Sequence, residues 1–317
     1  MRIRSIAALS VTAVSLLLLT SCSGGGAPDA TGSPSAQVAD LCDAAAPSGE
    51  ASESVTVEGE PGAASQAVFT APLEISELQS TVVTEGEGDP VAAGELVNIA
   101  FTAFSADTGE ELGSLNYEPG QFLPQQISAD NPIGQVLGCA TPGTRVVATF
   151  PATETNGGEV YVFDFLETVP DAAWGTEQPA PEGLPEVELA EDGEPTITVP
   201  DADAPTAVEL ATLKQGDGET VEPGDTVLVQ YTGVKWSDNE VFDSSWEAGT
   251  PASFQTTGVV DGFRQALEGQ TVGSQVLAVI PPEFGYGAVE GNELQEETLV
   301  FVVDILGVQH VAATTAP

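Results

Sequence analysis

Five short segments of this sequence carry, in chain order, aromatic rings and four carboxylates, Asp243 among them: Gln230-Tyr-Thr-Gly233, Val241-Phe-Asp-Ser-Ser245, Val259-Val-Asp-Gly-Phe263, Pro281-Pro-Glu-Phe-Gly-Tyr-Gly287 and Thr298-Leu-Val-Phe-Val-Val-Asp304. Taken singly, each is ordinary. Tyr231, Phe263 and Phe301 read as core residues, Asp243 before two Ser as a turn, and Tyr286 between two Gly as a loop residue. The chemistry open to such a set is narrow. With 3 Cys and 1 His in 317 residues, a Cys/His metal site is nearly excluded, because structural zinc usually takes four such ligands. Asp217, Glu219, Glu222 and Asp225 lack the glycine and spacing of a calcium loop and read as a solvated surface. His310 falls past the last strand and reads as inert. What remains is apolar, aromatic surface with the Tyr231 and Tyr286 hydroxyls and the Asp243 carboxylate among its polar groups.

Together and in this order, the five segments resemble the FKBP-type peptidyl-prolyl isomerase domain, from the low 200s to Gly307. The resemblance implies a shallow aromatic cup over a single helix. Its wall would be Tyr231, Phe242, Phe263 and Phe301, with Val259 and Val260 where the helix begins. Asp243 and Tyr286 would be its polar members. Three departures stand out. The floor, usually Trp, is Phe263, which keeps the ring but loses an indole N–H. An aromatic often found after Phe-Asp-Ser-Ser is here Ala252. The loop after Gly287 is shorter and acidic (Glu290, Glu293, Glu296, Glu297), and Leu294 stands in for its usual aliphatic contact. These changes are expected to shift substrate preference rather than remove activity.

The implied activity suits such a cup. The barrier to rotation about the peptide bond is ~18–20 kcal/mol and comes from C–N double-bond character. Twisting the bond destroys amide resonance and leaves a less polar carbonyl, which a dry aromatic pocket favours over the planar amide. Tyr286 O–H can donate to the substrate backbone. Asp243 can act on the twisted carbonyl or anchor the pocket's hydrogen bonds. A gain of ~4–6 kcal/mol accelerates the step by three to four orders of magnitude. No cofactor or metal is implied. The implied partners are Xaa-Pro segments of unfolded or exported proteins, with macrolides as a further ligand class. The rival reading is a non-catalytic proline-peptide-binding module or holdase chaperone; the retained Asp243/Tyr286 pair favours the enzyme.

The elements that must position these residues read as mostly β. In Thr226–Tyr231, Val227, Val229 and Tyr231 alternate onto one face. Gln275–Ile280 and Thr298–Leu306 are nearly continuous apolar runs suited to central strands. One short helix stands out, with Asp261 as its cap, Phe263, Ala266 and Leu267 on one face, and Gly269 after its end. A second copy lies upstream. Leu96–Ala103 matches Thr226–Gly233 and Gly143–Pro151 matches Gly273–Pro281 at an offset of 130, whereas Val162–Leu166 matches Val302–Leu306 at 140. Ten residues are therefore missing from the first copy between its last two strands. In that copy Phe101 replaces the cup Tyr, Leu112-Gly113 replaces Phe-Asp, Ile133 takes the floor and Tyr161 matches Phe301. The shortened loop drops the second cup Tyr. The expectation is an α+β protein of two FKBP-like domains, each a curved antiparallel sheet wrapped around a short helix. The first is degenerate and the second is the catalyst.

Charge and processing signals complete the reading. Six Lys+Arg against 49 Asp+Glu give a net charge of −43, which repels phosphate and excludes nucleic-acid binding through an electrostatic footprint. Arg2, Arg4 and the apolar run Ile6–Leu19 form an export signal, closing on Leu19-Thr20-Ser21-Cys22, which resembles a bacterial lipobox. Residues 1–21 would then be a signal peptide, and Cys22 the lipidated first residue. Residues 22–40 would be a flexible tether, 41–170 the degenerate domain and 206–310 the isomerase domain. Residues 311–317 would be a tail. Losing Arg2 and Arg4 takes the net charge from −43 to −45. Residues 171–205, with ten acidic residues, six prolines and no basic one, read as an extended connector partly packed on the second domain. Within it, Pro195–Pro200 reads as an edge strand. The expected setting is the outer face of the cell membrane, reached through the lipid alone, for a monomer. Export places Cys42 and Cys139 where a disulfide is favoured; the alternative is two buried free thiols.

Overall fold

The protein is described by a computed structural model covering residues 40–179 and 181–311. Cys22, the signal peptide, most of the tether and most of the tail lie outside the described residues. Two sheets follow one plan. The first half contains α1 (Leu41–Ala44), α2 (Glu50–Glu53), β1 (Thr56–Glu58), β2 (Gln66–Val68), β3 (Gln79–Thr84), β4 (Leu96–Ser105), β5 (Glu111–Leu115), β6 (Gln125–Gln126), α3 (Pro132–Leu137), β7 (Arg145–Phe150) and β8 (Glu159–Val169). The second contains β9 (Thr176–Glu177), β10 (Glu186–Leu189), β11 (Pro195–Thr198), β12 (Glu209–Gln215), β13 (Thr226–Lys235), β14 (Val241–Ser244), α4 (Ser245–Ala248), β15 (Ala252–Gln255), α5 (Asp261–Leu267), β16 (Gln275–Ile280) and β17 (Leu299–Gln309).

The strand orders are β3-β7-β8-β4-β5 and β12-β16-β17-β13-β14, with β6 and β15 each pairing the long strand β4 or β13 and β9 added outside β12. All pairs are antiparallel, and the irregularities recur at the same offset. The register slips between Asn98 and Ile99 and between Leu228 and Val229, between Val82 and Thr84 and between Thr212 and Lys214. Bulges increase local twist, so both sheets curl at matching places, and the concave faces hold α3 and α5 respectively, with Leu41 of α1 beside α3.

The repeat reaches further upstream than sequence matching shows. The hairpin β1–β2 lies on the back of the first sheet, where Val57 and Ala67 pack against Val147, Val160 and Val162. The hairpin β10–β11 lies likewise on the second, where Val187 and Ile197 pack against Leu277, Val279, Val300 and Val302. Val57 and Val187, and Ala67 and Ile197, keep the 130-residue offset. The part of 171–205 expected to pack on the second domain is thus a two-stranded hairpin rather than a single edge strand. Its acidic residues face outward, but Ile197 is only 3% exposed, and the hairpin covers a sheet face that would otherwise be wet. Pro195 begins β11 in this hairpin and not at the edge of the main sheet, since β9 and β14 occupy the sheet's edges.

Each sheet carries its helix differently. In α5, Gly262 sits where a Cβ would lie 2.3 Å from the Ile280 side chain, so the helix packs directly on β16. The sequence points to Asp261 as the cap of α5; the structure puts Val260 there, in extended conformation and with no side-chain cap. Asp261 is the first helical residue. Its carboxylate accepts from Gln265 at 2.9 Å and pairs with Arg264, still at the end where the helix dipole favours an anion. The α3 helix is capped by Asn131, which accepts from Gly134 N at 2.7 Å. A disulfide joins Cys42 on α1 to Cys139 just past α3. With the cysteines separated by 97 positions in sequence, loop entropy puts its contribution at about 4–5 kcal/mol before native strain.

Both halves belong to one compact unit. Leu96 and Val169 of the first cluster with Leu228 and Leu306 of the second, with Leu123 at the margin. Gly307 is required there, since a Cβ would come 2.5 Å from Pro124 Cδ. A cleft of about 490 Å³ opens beside this seam, lined by Tyr117, Trp174 and Val308 among others. Two expectations fail at the seam. His310 is not inert: its N–H donates to Gly120 O at 2.8 Å, and its ring Nδ1 lies 2.8 Å from Asp225 Oδ2. Asp225 is not solvated surface: it is fully buried and also accepts from Glu222 N at 2.7 Å and Val311 N at 3.2 Å. The sequence showed a run of acids; only folding reveals that one is turned inward and met by donors.

Candidate active site

The concave face of the second sheet gathers the aromatic residues that sequence reading singles out. Tyr231 on β13, Phe263 on α5 and Phe301 on β17 are 7%, 5% and 6% exposed, so their rings are mostly covered while their edges form a floor. Phe263 and Phe301 stand edge-on with ring centroids 5.0 Å apart, and Phe242 on β14 meets Phe301 at 5.4 Å. Such T-shaped contacts fix ring orientation. Phe242, Val259, Val260, Tyr286 and Leu294 are all partly buried against this cluster and form its wall. Gly233 belongs to the construction: a Cβ there would fall 2.7 Å from the Phe301 ring and 2.8 Å from Phe242.

The polar side of the cup is the pair Tyr231 and Asp243. Gly233 and Asp243 are register partners across β13 and β14, which brings the carboxylate to the cup's lip. Tyr231 O–H donates to Asp243 Oδ2 at 2.7 Å. Burial, then the bond to Asp243 and the charge behind it, then the nearby Tyr286, hold the Tyr231 phenol well above the ordinary tyrosine range. It therefore stays an O–H donor at any working pH. Asp243 itself is exposed, so its remaining lone pairs are open to solvent or a ligand. Ser245 sets the strand behind the pair, accepting from Tyr231 N at 2.8 Å and bonding Gln230. Tyr286 comes from the loop between β16 and β17, which turns at Pro282–Phe284 and is held closed by Gly287 N donating to Pro282 O at 2.7 Å.

Residues 217–306 match the family profile of the FKBP-type peptidyl-prolyl cis-trans isomerases. A probable FK506-binding protein of Corynebacterium glutamicum is 35% identical over 113 residues, covering 35% of this chain and 96% of that protein. The chain belongs to the FKBP-type peptidyl-prolyl cis-trans isomerase family. An FK506-binding protein of Streptomyces anulatus is 36% identical over 119 residues, covering 36% of this chain and 96% of that one. Among solved structures, FkpA from Escherichia coli aligns at 31% identity over 39% of this chain and 51% of that chain, with a TM-score of 0.31. The family profile and the two FK506-binding relatives make the protein a peptidyl-prolyl isomerase, and the profile match falls on its second repeat.

Within this isomerase, sequence reasoning missed one ring. Ala252 leaves the expected aromatic position empty, but Phe254 lies two residues on, on the same face of β15. It meets Tyr231 and Phe263 edge-on, each at 5.7 Å. The period-2 alternation of a strand was the available signal. Phe284 also packs against the cluster. Among the described residues, no group of three or more metal-ligating side chains comes together. No described helix is long and apolar enough to cross a membrane.

The corresponding face of the first repeat is also aromatic. Phe101 meets Tyr161 and Phe163 with centroids 5.6 Å away in both cases, and Phe150 meets Tyr161 at 5.3 Å. Ala103 pairs with Gly113 where Gly233 pairs with Asp243, so no carboxylate reaches this lip from β5. A different one does: Tyr161 O–H donates to Glu159 Oε2 at 2.8 Å. Burial and that carboxylate push the Tyr161 phenol up to about 12.

Proposed function

We propose that the second cup isomerises Xaa-Pro bonds in exported proteins at the outer face of the cell membrane, held there by a lipid on Cys22. The observation that carries the catalytic assignment is the Tyr231–Asp243 hydrogen bond at the lip of an otherwise apolar ring of aromatic edges. In this reading the proline ring enters over Phe263, between Phe242, Phe254 and Phe301, and water is displaced. Val259, Val260 and Leu294 hold the flanking backbone. The Tyr286 hydroxyl donates to a substrate carbonyl outside the bond that turns. Asp243, oriented by Tyr231, faces the carbonyl that twists out of conjugation. The enzyme gains on the twisted state because the planar amide, with its larger dipole, is the form most penalised by leaving water. The same apolar walls suit a macrolide, as the names of the two FK506-binding relatives suggest. A monomer suffices, since one repeat supplies every member of the cup.

The location rests on sequence alone: the lipobox-like Leu19–Cys22 and the polar residues that follow it. A diacylglycerol supplies two chains, enough for stable attachment, whereas a net charge of −43 offers no electrostatic help at an anionic surface.

Two measurements test the proposal. In the full chain, Asp243→Ala should lower kcat/KM for a short prolyl peptide by about tenfold or more, a loss of about 1.4 kcal/mol in transition-state stabilisation. An unchanged value rejects the assignment. Cys22→Ala should abolish lipid labelling and leave the protein as uncleaved precursor or released to the medium. Normal maturation with membrane retention would reject the anchor.

A further inference from the structure

The first repeat has lost the isomerase lip but not the hollow. A cavity of about 490 Å³ lies on its concave face, lined by Phe101, Ile133, Phe150, Tyr161, Phe163 and Glu159 among others. That volume is in the range of small-ligand sites. Its position in the fold is that of the second cup: Phe101 occupies the place of Tyr231 and Tyr161 that of Phe301 through matched strand registers, and Ile133 on α3 stands at the 130-residue offset from Phe263 on α5. The ten residues missing from the loop between β7 and β8 take away the counterparts of Tyr286 and Leu294. What that shorter loop brings is Thr153 and Asn156 at the mouth.

Charge narrows the occupant. Residues 41–170 hold twenty acidic side chains and one basic one, Arg145. Arg145 is 1% exposed, bonded to Asp164 and to the carbonyls of Gly59, Glu60 and Ala63. No cation of this repeat therefore reaches the surface around the cavity, and the one carboxylate in its lining is Glu159. A ligand must bring an apolar body for the aromatic floor, an N–H or cation for Glu159, and no negative charge.

We propose that the cup of the first repeat is a second, non-catalytic peptide-binding site that takes a proline-containing segment flanked by Lys or Arg. The choice of proline rests on the reading of the second cup as the isomerase site. The choice of basic flanks rests on Glu159 and the surrounding charge. The cup binds without turnover because Gly113 supplies no carboxylate and the short loop no tyrosine. Two cups on one chain would then hold an unfolded client at two points. The second contact becomes intramolecular, with an effective concentration set by the client segment between them.

The test is a titration of the whole protein with two unlabelled decapeptides, one Lys-Pro-Lys centred and one Glu-Pro-Glu centred, followed by calorimetry and by amide NMR shifts. The expected result is two equivalents of the basic peptide, with shifts at Phe101, Ile133 and Tyr161 as well as around the second cup. The Glu-flanked peptide should leave the first cup unshifted. Glu159→Lys should weaken the first-cup site by about tenfold or more. Ile133→Trp, which fills the hollow, should remove it, and unchanged circular dichroism and Tm would show that each variant is folded. Turnover of a short prolyl peptide should be unchanged in both variants, because neither residue belongs to the second cup. One equivalent with shifts confined to 206–310 would overturn the proposal, as would equal first-cup binding of both peptides. The two readings fail separately: an inactive second cup would show in the turnover of Asp243→Ala, and an empty first cup in the stoichiometry.

Discussion

The two repeats share a backbone plan down to the positions of their bulges, yet they are stabilised by different side-chain chemistry. At one matched pair of positions the first repeat buries Arg145 against Asp164, at 2.6 Å and with 1% and 2% exposure. The second repeat buries Gln275 against Asp304 at 2.7 Å, and Ala173 N donates to the other oxygen of Asp304 at 2.9 Å. Arg145 also reaches three backbone carbonyls in the loop of the β1–β2 hairpin, and so ties the back cover to the sheet. In the second repeat that task falls to packing around Ile197. The first repeat also has a disulfide, whereas the matching positions of the second are Ala172 and Gly269. The catalytic half relies on a continuous apolar core in which β16 and most of β17 are nearly inaccessible. The comparison teaches that one topology tolerates exchange of a buried Arg for a buried Gln, provided the Asp facing it keeps its donors. The proposed activity rests on something narrower, namely the residues at one lip and one loop.

The sharpest way to break the comparison is to exchange that loop. Replacing 281–298 by the short connection 151–158 deletes Phe284, Tyr286 and Leu294 together while leaving both flanking strands. It should reduce kcat/KM by about two to three orders of magnitude, or about 3–4 kcal/mol of transition-state stabilisation. Retained activity in a prolyl-peptide assay would mean that the loop is a cover and not part of the cup. The reverse graft into the first repeat should not create activity, because Gly113 still offers no carboxylate.

Making the first repeat resemble the second at its buried pair should cost stability instead. Arg145→Gln leaves Asp164 charged with one neutral donor and frees the carbonyls of Gly59, Glu60 and Ala63. Removing one partner of a buried ion pair typically costs about 3–5 kcal/mol. Urea unfolding should register a loss of that order, with short-peptide turnover unaffected below the new transition. A loss under about 1 kcal/mol would show that the guanidinium is no more than filler.

The smallest effect concerns pH and belongs to the second repeat. Burial pushes the Asp304 carboxyl up, against the weaker pull of its bonds from Ala173 N and Gln275 and of the Lys214 charge. A carboxyl with a raised folded value binds its proton more tightly in the native state. Its share of stability is therefore greatest below the ordinary aspartate range near pH 4, and falls as pH rises toward the folded value. Asp304→Asn should flatten that part of the stability–pH curve measured by urea unfolding. An identical slope in wild type and variant would assign the dependence to another group.

Much of the site was legible because its residues belong to short contiguous motifs. Tyr231, Phe242, Asp243, Phe263, Tyr286 and Phe301 come from five segments whose order alone points to a cup, and the strand period places Tyr231 on the inner face. The offset of 130 exposes the repeat because β strands with alternating faces tolerate little insertion. Phe254 escaped because one expected ring had moved two residues along a strand, a shift that keeps the face but breaks the motif. The hairpins over the sheet backs escaped because Val187 and Ile197 are isolated apolar residues in an acidic, proline-rich stretch, where composition argues for solvent.

Sequence by itself determined the fold class, the isomerase motifs, the degenerate state of the first copy, and the even pair of cysteines. These follow from local periodicity, spacing and residue type, which each segment carries with it. Tertiary structure alone decided that Asp225 is buried beneath His310, that Arg145 clamps a hairpin some 85 residues away in sequence, and that Glu159 accepts from the Tyr161 hydroxyl at the first cavity. Each depends on which side chains distant segments bring within hydrogen-bond reach, about 3 Å. Burial of a charge is decided only by what surrounds it: the same Asp or Arg is a solvated surface residue or the centre of a polar network, depending on the donors and acceptors that folding delivers to it.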